Sequence, residues 1–276
     1  MEEKDIIING KRVHFLETGQ KSKPAIILIH GWPMSSTVWR EMVPFLENKY
    51  HLFALDLPGF GHSEPLEKSI NYQNLVSFIN KFIIRQHLRR VTLLGCSFGG
   101  VISIYYQNRF PNKVKSLILI VLPLHYSHFV NRIKRLVALK LIKGFALVGK
   151  LYDILNKSRF TRQVYFKHNP YIGKYITPDR AKEVYAEYCL YDGTTARKML
   201  WLILSLNLYP KLSKISCPVL LINGQQDKII PPNIAKRACR AIAKSQVVII
   251  DQADHALISE HPQKIASCIK KFLNSL

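Results

Sequence analysis

Gly95-Cys96-Ser97-Phe98-Gly99 stands between an apolar run at 90–94 and a second, helix-like apolar stretch at 101–109. A Gly-x-Ser-x-Gly set between a strand and a helix is the pattern of a nucleophile elbow. The serine occupies a sharp strand-to-helix turn in a strained backbone conformation. Small residues two before and two after it let strand and helix approach without side-chain collision. Such a turn lifts the Ser97 hydroxyl to the edge of the sheet, where the N-terminus of the following helix favours developing negative charge.

A serine hydroxyl is a poor nucleophile at neutral pH, so it needs a base, and the base needs an orienting acid. The run 218–224 reads as a buried strand ending in a turn, and Asp227 follows at once. Another short apolar strand is expected at 246–250, and the loop after it carries Ala253-Asp254-His255. The order is therefore Ser, Asp, His, with acid and base each just past the C-terminal end of a predicted strand. In an open parallel sheet those ends share one edge, so distant residues can converge there.

Four motifs in this order resemble the α/β-hydrolase fold superfamily, in its branch of capped serine hydrolases and esterases. They are His30-Gly31-Trp32, the loop Asp56-Leu57-Pro58-Gly59-Phe60-Gly61-His62-Ser63, the Ser97 elbow and the Asp227/His255 pair; the similarity spans 11–123 and 212–272. The resemblance implies a catalytic triad of Ser97, Asp227 and His255, with the backbone N–H groups of Trp32 and Phe98 forming the oxyanion hole. It also implies cleavage of a carboxylic ester, with a small hydrophobic ester or related acyl compound as substrate and no cofactor. C–C bond hydrolases, thioesterases and perhydrolases use the same triad, and a non-catalytic sensor of a small ligand is the alternative from another class. One departure is Asp254, where the family usually has Gly, and Asp adopts positive φ less readily.

The glycine-rich loop 56–63 lacks the Lys-Ser/Thr of a phosphate cradle, so it reads as structural. Asp56 is a rival acid that comes too early in family order to partner His255. His125 and His128 have a spacing that can bind zinc on a helix, but no third ligand is near, so no metal is expected. His14, His51, His87, His168 and His261 read as ordinary polar positions.

The expected fold is α/β: a mostly parallel central sheet covered by helices on both faces, with an inserted all-helical cap. Asn9-Gly10 between two apolar runs signals a hairpin. Strands at 25–29, 51–55, 90–94 and 114–121 alternate with helices at 37–47, 72–87 and 101–109, and the alternation resumes after the insert. The core is assigned to 1–123 and 208–276, and the cap to 124–207.

The chain carries 40 Lys+Arg against 18 Asp+Glu, a net charge of +22. Much of the excess falls at 131–167, where Arg132, Lys134, Arg135, Lys140, Lys143, Lys150, Lys157, Arg159, Arg162 and Lys167 face the single acid Asp153. This run reads either as a solvated basic face or as a surface docking on anionic membrane, and both stay open. No helix-turn-helix, zinc-finger or RNA-binding signature is present, so nucleic acid is not an expected partner. Apolar residues at 48% and charged residues at 21% are those of a globular chain. The start Met1-Glu2-Glu3-Lys4-Asp5 is acidic rather than signal-like, and five widely spaced cysteines suggest reduced thiols, hence a cytoplasmic protein. No feature sets an oligomeric state.

Overall fold

The computed structural model describes residues 1–66, 69–125 and 190–276. Eight strands form one sheet: β1 (Glu2–Ile8), β2 (Lys11–Thr18), β3 (Ala25–Ile29), β4 (His51–Leu55), β5 (Val91–Cys96), β6 (Val114–Ile120), β7 (Val219–Gly224) and β8 (Ser245–Ile250), in the order β1-β2-β4-β3-β5-β6-β7-β8. β1 pairs antiparallel with β2 and β2 antiparallel with β4, while every other pairing is parallel. The hairpin turn behaves as Asn-Gly dictates: Asn9 and Gly10 sit at φ +55° and +74°, the left-handed pair that matches strand twist.

The continuous apolar runs arise because both faces of the parallel strands are covered. Ile27, Ile29, Leu93, Leu117, Leu119, Val219 and Leu221 point into one core, and Ile26, Leu28, Leu94, Ile118, Ile120, Leu220 and Ile222 into the other. α1 (Tyr72–Arg85), α2 (Phe98–Arg109) and further along α3 (Gly193–Leu204) and α4 (Tyr209–Leu212) pack on the first face with α5 (Pro232–Ala241). The second face is closed by Trp39, Met42 and Leu46 and by α7 (Pro262–Asn274), which follows the short α6 (Leu257–Glu260).

The helix expected at 37–47 is not formed. Two short 3-10 turns, Ser36–Trp39 and Val43–Phe45, take its place. Pro44 lacks the N–H that an α-helix would bond at that point, and it sits at the start of the second turn, where none is needed. The expected cap falls mostly on 126–189, outside the described residues, as do His128, His168 and the whole basic run 131–167. The described end of that segment contains α3, capped at its N-terminus by Asp192, whose side chain accepts from the Thr195 N–H. It is docked on the core: Gly61 N–H donates to Leu190 O at 2.7 Å, Asp192 N–H to Gly59 O at 2.7 Å, and Tyr72 Oη to Leu202 O at 2.8 Å.

Candidate active site

Ser97 is the residue between β5 and α2, and its backbone lies at φ +48°, ψ −113°. An L-residue adopts that conformation only at a cost, so the surrounding structure must impose it. The constraint is steric. A Cβ built on Gly99 would lie 2.1 Å from Ile29 O and 2.7 Å from His30 O, and one on Gly95 would lie 2.4 Å from the Gly100 nitrogen. The two glycines let α2 start directly against the ends of β3 and β5. The Ser97 N–H donates to Ile120 O at 2.8 Å, which ties the turn to the neighbouring strand β6.

The loop after β3 lies against this turn. A Cβ on Gly31 would come within 3.3 Å of the Ser97 Cβ, so the glycine lets this loop lie directly against the serine. His30 holds that loop in place. Its Nδ1 lies 2.8 Å from Gly31 O, and its Nε2 accepts from the Leu57 N–H at 2.9 Å. This fixes a neutral tautomer with the proton on Nδ1. Complete burial pushes the imidazole below its ordinary value, against an opposing pull from Asp56. The Trp32 indole packs at the core margin and donates to Ala196 O of α3 at 3.0 Å. The side chain is thus a link to the insert, while its amide belongs to the loop.

Asp56 is occupied elsewhere. One carboxylate oxygen accepts from Ser36 N–H at 2.7 Å and the other from His62 N–H at 2.8 Å. The Asp56 carboxylate thus ties the loop 56–63 to the turn that begins at Ser36.

Asp227 and His255 meet. His255 Nδ1 lies 2.9 Å from Asp227 Oδ2, and the two residues are 4% and 3% exposed. The other oxygen of Asp227 accepts from the N–H groups of Ile229 and Ile230 at 2.9 and 2.8 Å. Two backbone donors therefore carry a carboxylate that is buried in the sheet edge. Asn223, at the end of β7, closes the same loop by donating to Gly224 O and Ile230 O. The acid and base loops are also stitched together: Gln226 N–H donates to Ala253 O at 2.9 Å, and a Cβ on Gly224 would lie 2.4 Å from that oxygen.

Asp254 does not adopt positive φ, so the absence of glycine there imposes no strain. Its carboxylate instead accepts from Ala256 N–H at 2.9 Å, and its own N–H donates to Glu260 at 3.1 Å. Neither Asn223 nor Glu260 was singled out in the sequence. Asn223 stands in an otherwise apolar strand end, which is a usable signal, whereas Glu260 carries none. Cys96, beside the serine, is inert. Burial and the nearby Asp227 charge push its thiol up to about 12.

Comparisons with known proteins agree with this architecture. The family described as alpha/beta hydrolase fold matches residues 24–146, and one described as TAP-like protein matches 207–276. The chain is 26% identical over 269 residues to monoacylglycerol lipase ABHD6 of Bos taurus, covering 92% of this chain and 76% of the relative. It is 25% identical over 256 residues to the pimeloyl-[acyl-carrier protein] methyl ester esterase of Aeromonas hydrophila, covering 91% of this chain and 95% of that one. Among solved structures, a membrane phospholipase A superposes with a TM-score of 0.80 at 23% identity, over 99% of this chain and 86% of that one, a likeness of fold.

Proposed function

The chain belongs to the α/β-hydrolase fold superfamily and is a hydrolase, and from that premise we propose that it cleaves a carboxylic ester through an acyl-enzyme on Ser97. The observation that carries the proposal is the buried His255–Asp227 pair on the same sheet edge as a serine in the elbow conformation. Asp227 holds the His255 proton on Nδ1, which makes Nε2 the acceptor. As Ser97 Oγ bonds to the acyl carbon, its proton passes to Nε2, and the Asp227 charge stabilises the imidazolium. His255 then returns the proton to the departing alkoxide, which leaves as the alcohol. Water attacks the acyl-enzyme by the same route, restoring Ser97 and releasing the acid.

The tetrahedral intermediate carries a negative oxygen. The Phe98 N–H opens α2, where helical N–H groups have no partner four residues back. With the Trp32 N–H it forms the oxyanion hole in this reading, and losing one such donor typically costs about 10²–10³ in rate. The substrate we propose is a small hydrophobic ester, in line with the monoacylglycerol and methyl ester named for the two relatives. Residues 124–207 serve as the lid, anchored through α3 to Trp32 and to the 56–63 loop. Peripheral contact of the basic run with anionic membrane and a cytoplasmic setting belong to the same proposal. Among the described residues, no helix is long and apolar enough to cross a membrane, and Cys96, Cys217, Cys239 and Cys268 are free thiols.

A p-nitrophenyl ester series of increasing acyl length, with fluorophosphonate labelling of the purified protein, tests the assignment. Turnover and covalent modification at Ser97 are expected. A folded protein that neither turns over any ester nor reacts at Ser97 would be a ligand sensor and not an enzyme.

A further inference from the structure

The opposite edge of the sheet carries a second feature, formed where four parallel strands begin. Lys23 precedes β3, Lys49 precedes β4, Arg90 precedes β5, and Lys115 is the second residue of β6. These strands are neighbours in the order β4-β3-β5-β6, so the four cations fan across one edge at strand spacings of about 4.8 Å. With Tyr50 and Thr92 they line a cleft of about 360 Å³. No carboxylate lines it, and none of the three lysine ammonium groups pairs with an acid among the described residues.

Two hydroxyl-bearing side chains line the same space. The Tyr50 side chain is largely buried (6% exposed), and its hydroxyl opens to the cleft with no protein partner among the described residues. Burial pushes the phenol above its ordinary value, so it is a donor at neutral pH. Thr92 shares a 2.9 Å hydrogen bond with Ser116, both hydroxyls being buried between β5 and β6. When Ser116 is the donor in that pair, Thr92 keeps its own proton for the cleft.

Four cations brought together repel one another, and the Tyr50 hydroxyl has a proton to donate into the space between them. An anion with several acceptor oxygens and more than one negative charge answers both, by neutralising the cations and accepting from the hydroxyl. We propose that this cleft binds the phosphate or pyrophosphate group of a small soluble molecule, at the sheet edge opposite Ser97. Its low-dielectric walls and single sign of charge focus the potential on such a group, and its volume suits a small anion rather than a protein segment. The site is independent of the ester chemistry, because none of its residues touches the catalytic edge.

The test is calorimetric titration of the whole protein with inorganic pyrophosphate at constant ionic strength, with thermal shift as a second readout. Wild type should bind, and Lys49→Gln with Lys115→Gln should raise Kd at least about tenfold, since charge-assisted contacts dominate phosphate binding. Tyr50→Phe, which keeps the packing, should raise Kd about threefold. Ser97→Ala and Lys140→Gln with Lys143→Gln should leave Kd unchanged, which separates this cleft from the active site and from the basic insert. Equal pyrophosphate affinity in wild type and the Lys49/Lys115 variant overturns the assignment, as does the absence of binding. A final arm uses phosphatidylcholine vesicles containing phosphatidic acid. Vesicle binding that depends on Lys49 and Lys115, without any binding of soluble pyrophosphate, would overturn the soluble ligand in favour of a lipid headgroup.

Discussion

Among the described residues, His255–Asp227 and His51–Glu17 are two buried histidine–carboxylate pairs, alike in chemistry and unlike in surroundings. His255 meets Asp227 at 2.9 Å past the ends of β7 and β8, and His51 meets Glu17 at 2.6 Å between β4 and β2. The second oxygen of Asp227 is held by backbone N–H groups, whereas that of Glu17 accepts from Lys4 Nζ at 2.8 Å. Backbone dipoles keep a carboxylate in place without cancelling its charge, so Asp227 can still stabilise an imidazolium. The charge of Glu17 is already balanced by a lysine. A histidine–carboxylate pair is therefore no proton-transfer device by itself; in the proposed mechanism the serine nucleophile and an uncancelled charge make the difference.

The largest effect expected from that contrast is on turnover. Ser97→Ala and His255→Ala should each lower ester hydrolysis by at least about 10³, with Asp227→Ala falling somewhat less, because such residues act as a unit. His51→Ala should stay within about twofold of wild type in kcat. If His51→Ala lost as much activity as His255→Ala in a folded protein, the contrast between the pairs would be wrong.

Next in size is the steric frame of the elbow. Gly99→Ala places a methyl 2.1 Å from Ile29 O, a backbone atom that cannot swing aside. Alanine is otherwise the better helix former, so propensity alone forecasts a gain of about 1 kcal/mol. A loss of about 2–4 kcal/mol is expected instead, together with most of the activity. Urea unfolding gives the sign directly, and a stabilised Gly99→Ala would show that the elbow is not held by contact with β3.

The edge that carries Ser97, Asp227 and His255 was more legible in the sequence than the Glu17 edge, for a physical reason. Strands covered on both faces read as continuous apolar runs, and the glycines around Ser97 are demanded by local crowding. Asp227 and His255 each follow such a run at once, so strand ends and chain order sufficed to pair them. Glu17 and His51 find each other only through the antiparallel register of β2 on β4, across 34 residues of chain. His51 accordingly read as an ordinary polar position. The cations of the opposite edge are likewise scattered in sequence and gathered only by the strand order. At 37–47 the apolar spacing suggested a helix, and Pro44 overrode it.

A smaller effect tests the Glu17 side. Burial raises that carboxyl, but the Lys4 and His51 hydrogen bonds outweigh it and hold it below its ordinary value. A carboxyl lowered on folding adds stability above its unfolded pKa and loses it as pH falls through the folded one. Glu17→Gln should therefore cost about 1–2 kcal/mol at pH 7, the scale of hydrogen bonds to a charged group. The deficit should close as the solution is acidified below the ordinary carboxylate range. A deficit that is unchanged at low pH would mean that packing, not charge, holds this edge.

Glu260 supplies the opposite sign at the edge that carries His255, with the smallest effect. Its carboxyl holds the Asp254 N–H, one residue before His255. Burial pushes it up to about 7 from 4.5, with the Asp254 charge adding to the rise and the Asp254 N–H bond opposing it. A carboxyl raised on folding binds its proton more tightly in the native state. Its contribution to stability is complete below the unfolded value of 4.5 and is lost as pH rises through about 7. Glu260→Gln keeps an acceptor for the Asp254 N–H and has no carboxyl to ionise. Its stability relative to wild type should therefore improve between pH 4.5 and pH 8, by about 1 kcal/mol or less once solvent screening is allowed for. The difference between the two unfolding free energies, followed across that range, removes the titration of every other group. Glu17→Gln loses ground against wild type as pH rises and Glu260→Gln gains it, so curves that move in the same direction would dissolve the distinction between the two edges.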